Sequence, residues 1–94
     1  MKLTEYRTLT AEVCGADLEG WEPDNNERQA RMVGDMMIER GYGVRDFKFE
    51  YDDAVHRVTV ELINIRRGHI FPGDGYTWSE AFMKAFIEYY KFEV

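Results

Sequence analysis

The sequence predicts an α+β domain in which helices cover a small antiparallel sheet, in the order α-α-β-β-(β)-α. Two amphipathic segments come first, a region of two-residue alternation follows, and a capped aromatic segment comes last. At 94 residues, 45% of them hydrophobic, the chain fits one domain, 1–94, with a single core. Because both faces of the second strand carry apolar residues near Ile63 and Ile65, a three-layer α/β/α arrangement is left open.

The first two helices are predicted from apolar residues that recur at helical spacing. One helix extends over 3–16, and the other over about 26–40. Asp24 and Glu27 have the spacing of a capping box ahead of the second helix, although Asn25 or Asn26 fits the cap equally well. Gly41 then supplies a natural end, because glycine adopts the left-handed conformation at low cost.

Alternation of polar and apolar residues predicts an antiparallel hairpin with strands at about 44–51 and 55–65. Phe47, Phe49 and Tyr51 share one face of its first strand, and Asp46, Lys48 and Glu50 share the other. Because an isolated hairpin is unstable in water, we expect helices to cover it. Residues 69–71 can add a short third strand.

The last helix is predicted to extend from Trp78 to about Lys91. Thr77 and Glu80 have the spacing of a capping box, which marks the start of this helix. Its inner side carries large aromatic side chains, and we expect Phe82 to lie in the core. The glycine-rich loop that precedes the helix holds two arginines and a histidine.

The charge of the chain is −6, from 12 basic and 18 acidic residues, and the acid excess lies in the first two thirds. This balance opposes direct binding to nucleic acid, which requires neutralisation of phosphates, and it suits docking on a basic partner. A single cysteine, Cys14, excludes an internal disulfide and favours a reducing cytoplasm. No apolar stretch has the length of a membrane helix, so no membrane association is expected.

The chain resembles the phage ABA-sandwich domain, a family of small proteins encoded by bacteriophages and prophages. The resemblance lies in Gly20-Trp21-Glu22-Pro23-Asp24-Asn25-Asn26, Gln29-Ala30-Arg31-Met32-Val33, Gly41-Tyr42 and Gly73-Asp74-Gly75-Tyr76-Thr77-Trp78-Ser79-Glu80-Ala81-Phe82. The last helix departs from the family, since it is aromatic where the family prefers small residues and leucine. The resemblance implies a phage origin, a three-layer fold and the cytoplasm of a host cell. It supplies no catalytic residues.

Arg66, Arg67 and His69 are the candidate residues for a small anionic ligand. Arginine guanidinium groups match phosphate or carboxylate oxygens in a bidentate manner, and the nearby glycines allow backbone amides to approach a ligand. The spacing fits no phosphate-loop motif. The alternative interpretation is a solvated loop whose arginines pair with local acids.

Acidic and aromatic residues are the candidates for protein binding. Glu50, Asp52 and Asp53 form an acidic group at the hairpin turn, although adjacent aspartates also stabilise turns through their own backbone. Trp21 and Tyr76 are amphipathic aromatics of the kind enriched at interfaces, and packing in the core is the alternative for both.

No catalytic or metal site is predicted. His56 and His69 have no helical metal-binding spacing, and Cys14 has no cationic neighbour along the chain that would lower its pKa. We therefore expect no cofactor and no metal, although an enzyme that gathers Cys14, a histidine and an acid remains a rival hypothesis, as does a structural part of a virion.

The leading functional hypothesis is a small acidic, non-enzymatic accessory protein of phage type that binds and modulates a host protein with a basic surface. Its sharper form is an inhibitor of a host defence enzyme, because an acidic face can imitate nucleic acid. The alternative is a protein that binds a nucleotide or another anionic metabolite through the loop at residues 66–69. Because 15% of the residues are aromatic, we also expect a homodimer.

Overall fold

The computed structural model describes residues 3–51 and 55–94, and it confirms the predicted α+β class and element order. The elements are α1 (Leu3–Cys14), α2 (Glu27–Glu39), β1 (Tyr42–Tyr51), β2 (Val55–Asn64), β3 (Ile70–Gly75) and α3 (Trp78–Glu93). The third strand is longer than the short strand expected from the sequence. Within the described residues, no helix is long and apolar enough to cross a membrane.

The three strands form an antiparallel meander in the order β1-β2-β3. Leu62 at the centre of β2 lies opposite Val44 on one side and Phe71 on the other. Leu62 is fully buried and Phe71 is nearly so, whereas the next residues along β2 and β3 are partly or fully exposed. This alternation defines one buried face and one open face of the sheet.

Helix α3 lies against the buried face at very short range because β3 has a glycine at the crossing. A Cβ atom at Gly73 would lie 2.2 Å from the carbonyl oxygen of Ala81 and 2.4 Å from the backbone nitrogen of Ala85. Both alanines are fully buried. Three small residues therefore bring the helix backbone onto the strand, an approach that any larger side chain at position 73 would prevent.

The other two helices pack on α3 and lie on the same side of the sheet. Gly34 of α2 faces Phe82, and a Cβ atom added at Gly34 would lie 3.6 Å from the phenyl ring. Tyr6 of α1 makes edge contacts with Phe86 and Tyr90 of α3, with ring centroids 6.5 Å and 5.7 Å apart. The described residues thus form two layers, one of helices and one of strands, in place of the three-layer alternative.

The helix starts follow local capping chemistry. The Asn26 side chain accepts a hydrogen bond from the Gln29 amide at 3.1 Å, so Asn26 caps α2. Asp24 is instead held by two hydrogen bonds of 2.8 and 2.7 Å from Arg7 of α1. Thr77 caps α3 by accepting from the Glu80 amide at 3.2 Å, as its spacing predicted.

Candidate functional site

Unpaired carboxylates concentrate on the α1–α2 side of the molecule. Residues 3–41 contain nine acidic residues against four arginines. Among the described residues, six acidic side chains have no ion pair or hydrogen bond, and five of these belong to α1, α2 or their connection. The six are Glu12, Asp17, Glu19, Asp35, Glu39 and Asp46. The acidic surface of the described residues therefore lies mainly on the helices.

A groove of about 330 Å³ lies between the end of α1 and the outer side of α2, and we call it the methionine groove. Its lining consists of Val13, Cys14, Met32, Asp35, Met36 and Glu39. Met32 is 41% exposed, while the other apolar members are half-buried. The two carboxylates are four residues apart on α2, so they lie on one side of this helix. The floor of the groove is therefore apolar. Its rim carries the carboxylates of Asp35 and Glu39, which form no ion pair with the described residues.

The environment of Cys14 in this groove favours the protonated thiol over the thiolate. Burial raises the pKa of Cys14, and the positive charge of Arg40 offsets only part of this effect. Reactive cysteines require a lowered pKa, so this environment disfavours nucleophilic chemistry. Within the described part of the chain, no group of three His, Cys, Asp or Glu side chains could hold a metal ion.

A second groove, of about 650 Å³, lies where the end of α2, the β2–β3 turn and the end of α3 meet. We call it the arginine groove, and it is lined by Glu39, Arg40, Gly41, Tyr42, Asn64, Arg66, Arg67 and Glu93. The turn is closed by Asn64, whose side chain accepts from the Arg67 amide at 3.1 Å and whose carbonyl accepts from Gly68 at 2.7 Å. Gly68 has a positive φ of 75°, which suits glycine.

Glu93 is the polar centre of the arginine groove. Tyr42 donates a hydrogen bond to Oε2 of Glu93, and the Asn64 amide donates to Oε1 at 2.8 Å. Nδ1 of His69 lies 3.3 Å from the same Oε1. The Glu93 side chain is only 11% exposed. Three side chains from different parts of the chain therefore meet on one carboxylate of α3.

These contacts stabilise the ionised form of Glu93. Burial by itself would raise the pKa of this carboxyl, but the hydrogen bonds from Tyr42, Asn64 and His69 outweigh burial and lower the pKa. The pKa of Tyr42 is raised, first by burial and then by its hydrogen bond to Glu93. The groove therefore contains a fixed negative charge and a phenol that stays protonated.

The residues expected to bind an anion are brought together in part. Arg66 and Arg67 both line the arginine groove. His69 is occupied, because one ring nitrogen contacts Glu93 and its ring lies edge-on to Phe92 at 5.0 Å. Glu93 was missed from the sequence, because it interacts with residues 24, 29 and 51 positions away. No local spacing signals such contacts.

The residues expected to bind a protein have separate positions. Trp21 is 4% exposed and donates its indole N–H to Thr10 at 2.9 Å, so it is a core residue and offers no ring to a partner, which corrects the interpretation from sequence. Tyr76 is 65% exposed, and the Arg57 guanidinium lies 5.7 Å from its ring centroid. Glu50 lies in β1, while Asp52, Asp53 and their turn lie outside the described residues.

Comparison with known proteins found no matching family model, and neither the curated proteins nor the solved structures gave a significant match. The resemblance to the phage ABA-sandwich family therefore stays an expectation from the sequence. The class that the structure itself defines is an α+β domain with an antiparallel meander and one helical layer.

Proposed function

We propose that this chain is a non-enzymatic accessory domain that binds a host protein through a basic amphipathic helix of that partner. The methionine groove carries the proposal, because it combines exposed methionine with two unpaired carboxylates. A helix that lays its apolar face into a groove is a common mode of peptide recognition. The expected resemblance to a phage family suggests a host protein as the partner and, in its sharper form, inhibition of a host defence enzyme.

The apolar floor of the groove suits an occupant whose side chains differ in shape. Met32 and Met36 are unbranched and have polarizable sulfur atoms, so they can adapt to different apolar side chains. Val13 and Cys14 supply a firmer wall on the α1 side. We expect leucine or similar residues of the partner helix to fill this floor.

The rim of the groove selects for positive charge. Asp35 and Glu39 have no ion-pair partner in the described residues, so a lysine or arginine of the partner would not have to displace an existing pair. The charge of −6 on the whole chain also attracts a basic partner at a distance and raises the association rate. Charge and shape therefore favour the same occupant.

A synthetic peptide tests the proposal directly. The probe is an amphipathic helix with leucines on one face and lysines on the other, and a peptide with glutamates in place of the lysines is its control. We expect the lysine peptide to bind, with an affinity that falls as salt screens the rim charges. Equal binding of the glutamate peptide, or no binding of either, would overturn the proposed function.

Matched variants locate the site. Asp35→Lys reverses one rim charge and should weaken binding of the lysine peptide by roughly tenfold, which corresponds to about 1.4 kcal/mol. Glu88→Lys makes the same charge change on α3, where the exposed Glu88 contacts Lys91 at 3.9 Å, and should have a small effect. Reversal of Glu50, Asp52 and Asp53 tests the hairpin surface in the same assay. Loss confined to that triple variant would place binding at the hairpin turn instead.

Cys14 provides a second readout, because it lines the groove and is the only cysteine of the chain. A bound helix should cover Cys14 and slow its reaction with a thiol reagent. The rate should be compared with and without the lysine peptide at alkaline pH, since burial raises the pKa of this thiol. An unchanged rate under saturating peptide would show that the peptide binds elsewhere.

A further inference from the structure

We infer that the arginine groove binds a small organic molecule that carries a phosphate group. This inference rests on observations other than those behind the proposed protein binding, because it concerns a ligand of opposite charge in a second groove, which shares Glu39 with the methionine groove. Three arginines line the groove: Arg40 follows the end of α2, and Arg66 and Arg67 lie in the β2–β3 turn. A guanidinium group matches the oxygens of a phosphate in a planar, bidentate geometry.

The three arginines lack carboxylate partners among the described residues, although the protein is acidic. Among the described residues, five other cationic side chains form ion pairs of 2.6–3.9 Å with carboxylates. They are Arg7, Arg31, Arg45, Lys84 and Lys91. The side chains of Arg40, Arg66 and Arg67 have neither an ion pair nor a hydrogen bond in the same part of the chain. Their positive charges are thus available to a bound anion.

The Glu93 carboxylate cannot form an ion pair with these arginines without losing its own contacts. Glu93 lines the groove, but Oε2 accepts from Tyr42 and Oε1 accepts from Asn64 and contacts His69. Turning Glu93 towards an arginine would leave buried donors unsatisfied, which costs more than an exposed ion pair returns. Glu93 therefore stays bound to Tyr42, Asn64 and His69 and forms no direct ion pair with the arginines of the groove.

The backbone that carries the arginines is held by local hydrogen bonds. Asn64 closes the turn of Arg66 and Arg67 by accepting hydrogen bonds from the backbone amides of Arg67 and Gly68. The backbone N–H of Asn64 donates to the carbonyl of His69 at 2.8 Å. The Arg40 amide donates to the carbonyls of Met36 and Met37 at 3.2 and 3.1 Å. An ordered backbone lowers the entropy that the protein loses when a ligand binds.

The size of the groove indicates a ligand larger than phosphate itself. Its volume of about 650 Å³ lies within the roughly 300–1,000 Å³ of small-molecule sites. A phosphate group would occupy only a part of this space, next to the arginines. Tyr42 would then offer an aromatic contact to the organic part, as in a nucleoside monophosphate.

Titration calorimetry with three compounds tests this inference: a nucleoside monophosphate, the same nucleoside without phosphate, and inorganic phosphate. We expect the monophosphate to bind at least tenfold more tightly than either of the others. Equal binding of the nucleoside would overturn the role of the arginines, and equal binding of inorganic phosphate would overturn the organic ligand. Absence of binding by all three would overturn the site.

Single variants with a matched control complete the test. Arg66→Gln and Arg67→Gln should each weaken binding of the monophosphate by about tenfold or more, since each removes a charged hydrogen-bond donor. Arg28→Gln is the control, because Arg28 also lacks an ion pair within the part of the chain that the structure describes but lies at the other end of α2. Circular dichroism should show that all three variants stay folded. If Arg28→Gln lost as much affinity for the monophosphate, binding would depend on net charge alone. That result would overturn the site.

Discussion

Tyr42 at the start of β1 donates a hydrogen bond to Glu93 in the last turn of α3, across 51 positions of the sequence. This contact joins the edge strand of the sheet to the end of the helix that covers it. Asn64 and His69 share the same carboxylate, so the ends of all three strands or their turns are connected through Glu93. The stability of this end of the domain should therefore depend on one ionised side chain.

Replacement of this carboxylate should destabilise the domain in a pH-dependent manner. Glu93→Gln should lower the free energy of unfolding at pH 7 by about 1–3 kcal/mol, because it removes charged hydrogen bonds. The pKa of Glu93 is lowered by folding from its ordinary value of 4.5, so its contribution is present above that value and is lost as the pH falls below it. Urea denaturation should show that the free energies of unfolding of the unmodified protein and of Glu93→Gln differ at pH 7 and become similar at acid pH.

The matched control for this experiment is Glu88→Gln on the exposed side of α3. Among the described residues, its ion-pair contact is the 3.9 Å approach to Lys91, so we expect a change of less than about 1 kcal/mol. A destabilisation by Glu93→Gln that persists undiminished at acid pH would contradict an ionic role for Glu93.

Truncation of Phe82 should test the helical core. Phe82 is fully buried, as predicted, and it stacks on Trp78 with ring centroids 5.0 Å apart and planes 5° from parallel. Phe82→Ala should cost about 3–5 kcal/mol in the free energy of unfolding. Phe92→Ala, at a ring that is 65% exposed, should cost far less in the same denaturation assay. Similar costs for both variants would contradict the assigned helix face.

A methyl group at the helix–strand crossing should be more damaging than its size suggests. Gly73→Ala places Cβ 2.2 Å from a backbone oxygen of α3, so the helix must move away from β3. We expect a loss of about 3 kcal/mol or more, at the upper end of overpacking effects. Gly43→Ala is the control, because its nearest neighbour is a side-chain atom of Ile65 at 3.6 Å. Thermal unfolding of both variants measures the difference.

The open face of the sheet should support a homodimer. Phe47, Ile65 and Ile70 are 40–69% exposed, and the charged pair Arg45–Glu61 is already satisfied at 2.6 Å. A second copy would therefore meet little charge repulsion there, although the whole chain is acidic. Light scattering should give twice the monomer mass of 11.1 kDa at high concentration.

Variants assign the dimer to that surface. Ile70→Lys should shift the protein to the monomer, because it places a charge on the open face. Leu18→Lys changes an equally exposed leucine on the helical side, 55% exposed, and should leave the mass unchanged. A monomer mass for the unmodified protein at high concentration would refute the dimer.

Local signals in the sequence predicted much of the fold. Thr77 caps α3 as its spacing indicated, because capping involves neighbours in the chain, while the Glu80 side chain accepts from the amide of Tyr76 at 3.4 Å instead of from that of Thr77. Alternation predicted the strands but did not decide which face is covered. Phe47 lies opposite Thr59 and is 40% exposed, whereas Asp46 lies opposite the buried Val60. The packing of α3 on β2 and β3 decides this, and no residue of β1 encodes it.

The candidate site could be predicted less well than the fold. Arg66 and Arg67 were found because a glycine-rich loop with arginines is visible in the sequence. Arg40 and Glu93 were missed because they reach the groove from α2 and α3. The sequence makes Trp21 a candidate for an interface or for the core, and Thr10 accepts its indole N–H inside the core. Such pairings depend on tertiary contacts that a single sequence does not show.

Glu39 borders both the methionine groove and the arginine groove, so the two proposed ligands would be thermodynamically linked. A lysine on Glu39 would reduce the repulsion that this carboxylate exerts on a phosphate, and a phosphate would strengthen the attraction for lysine. By reciprocity, each ligand would raise the affinity of the other by the same factor. The domain would then hold its protein partner more tightly when a phosphorylated metabolite is abundant.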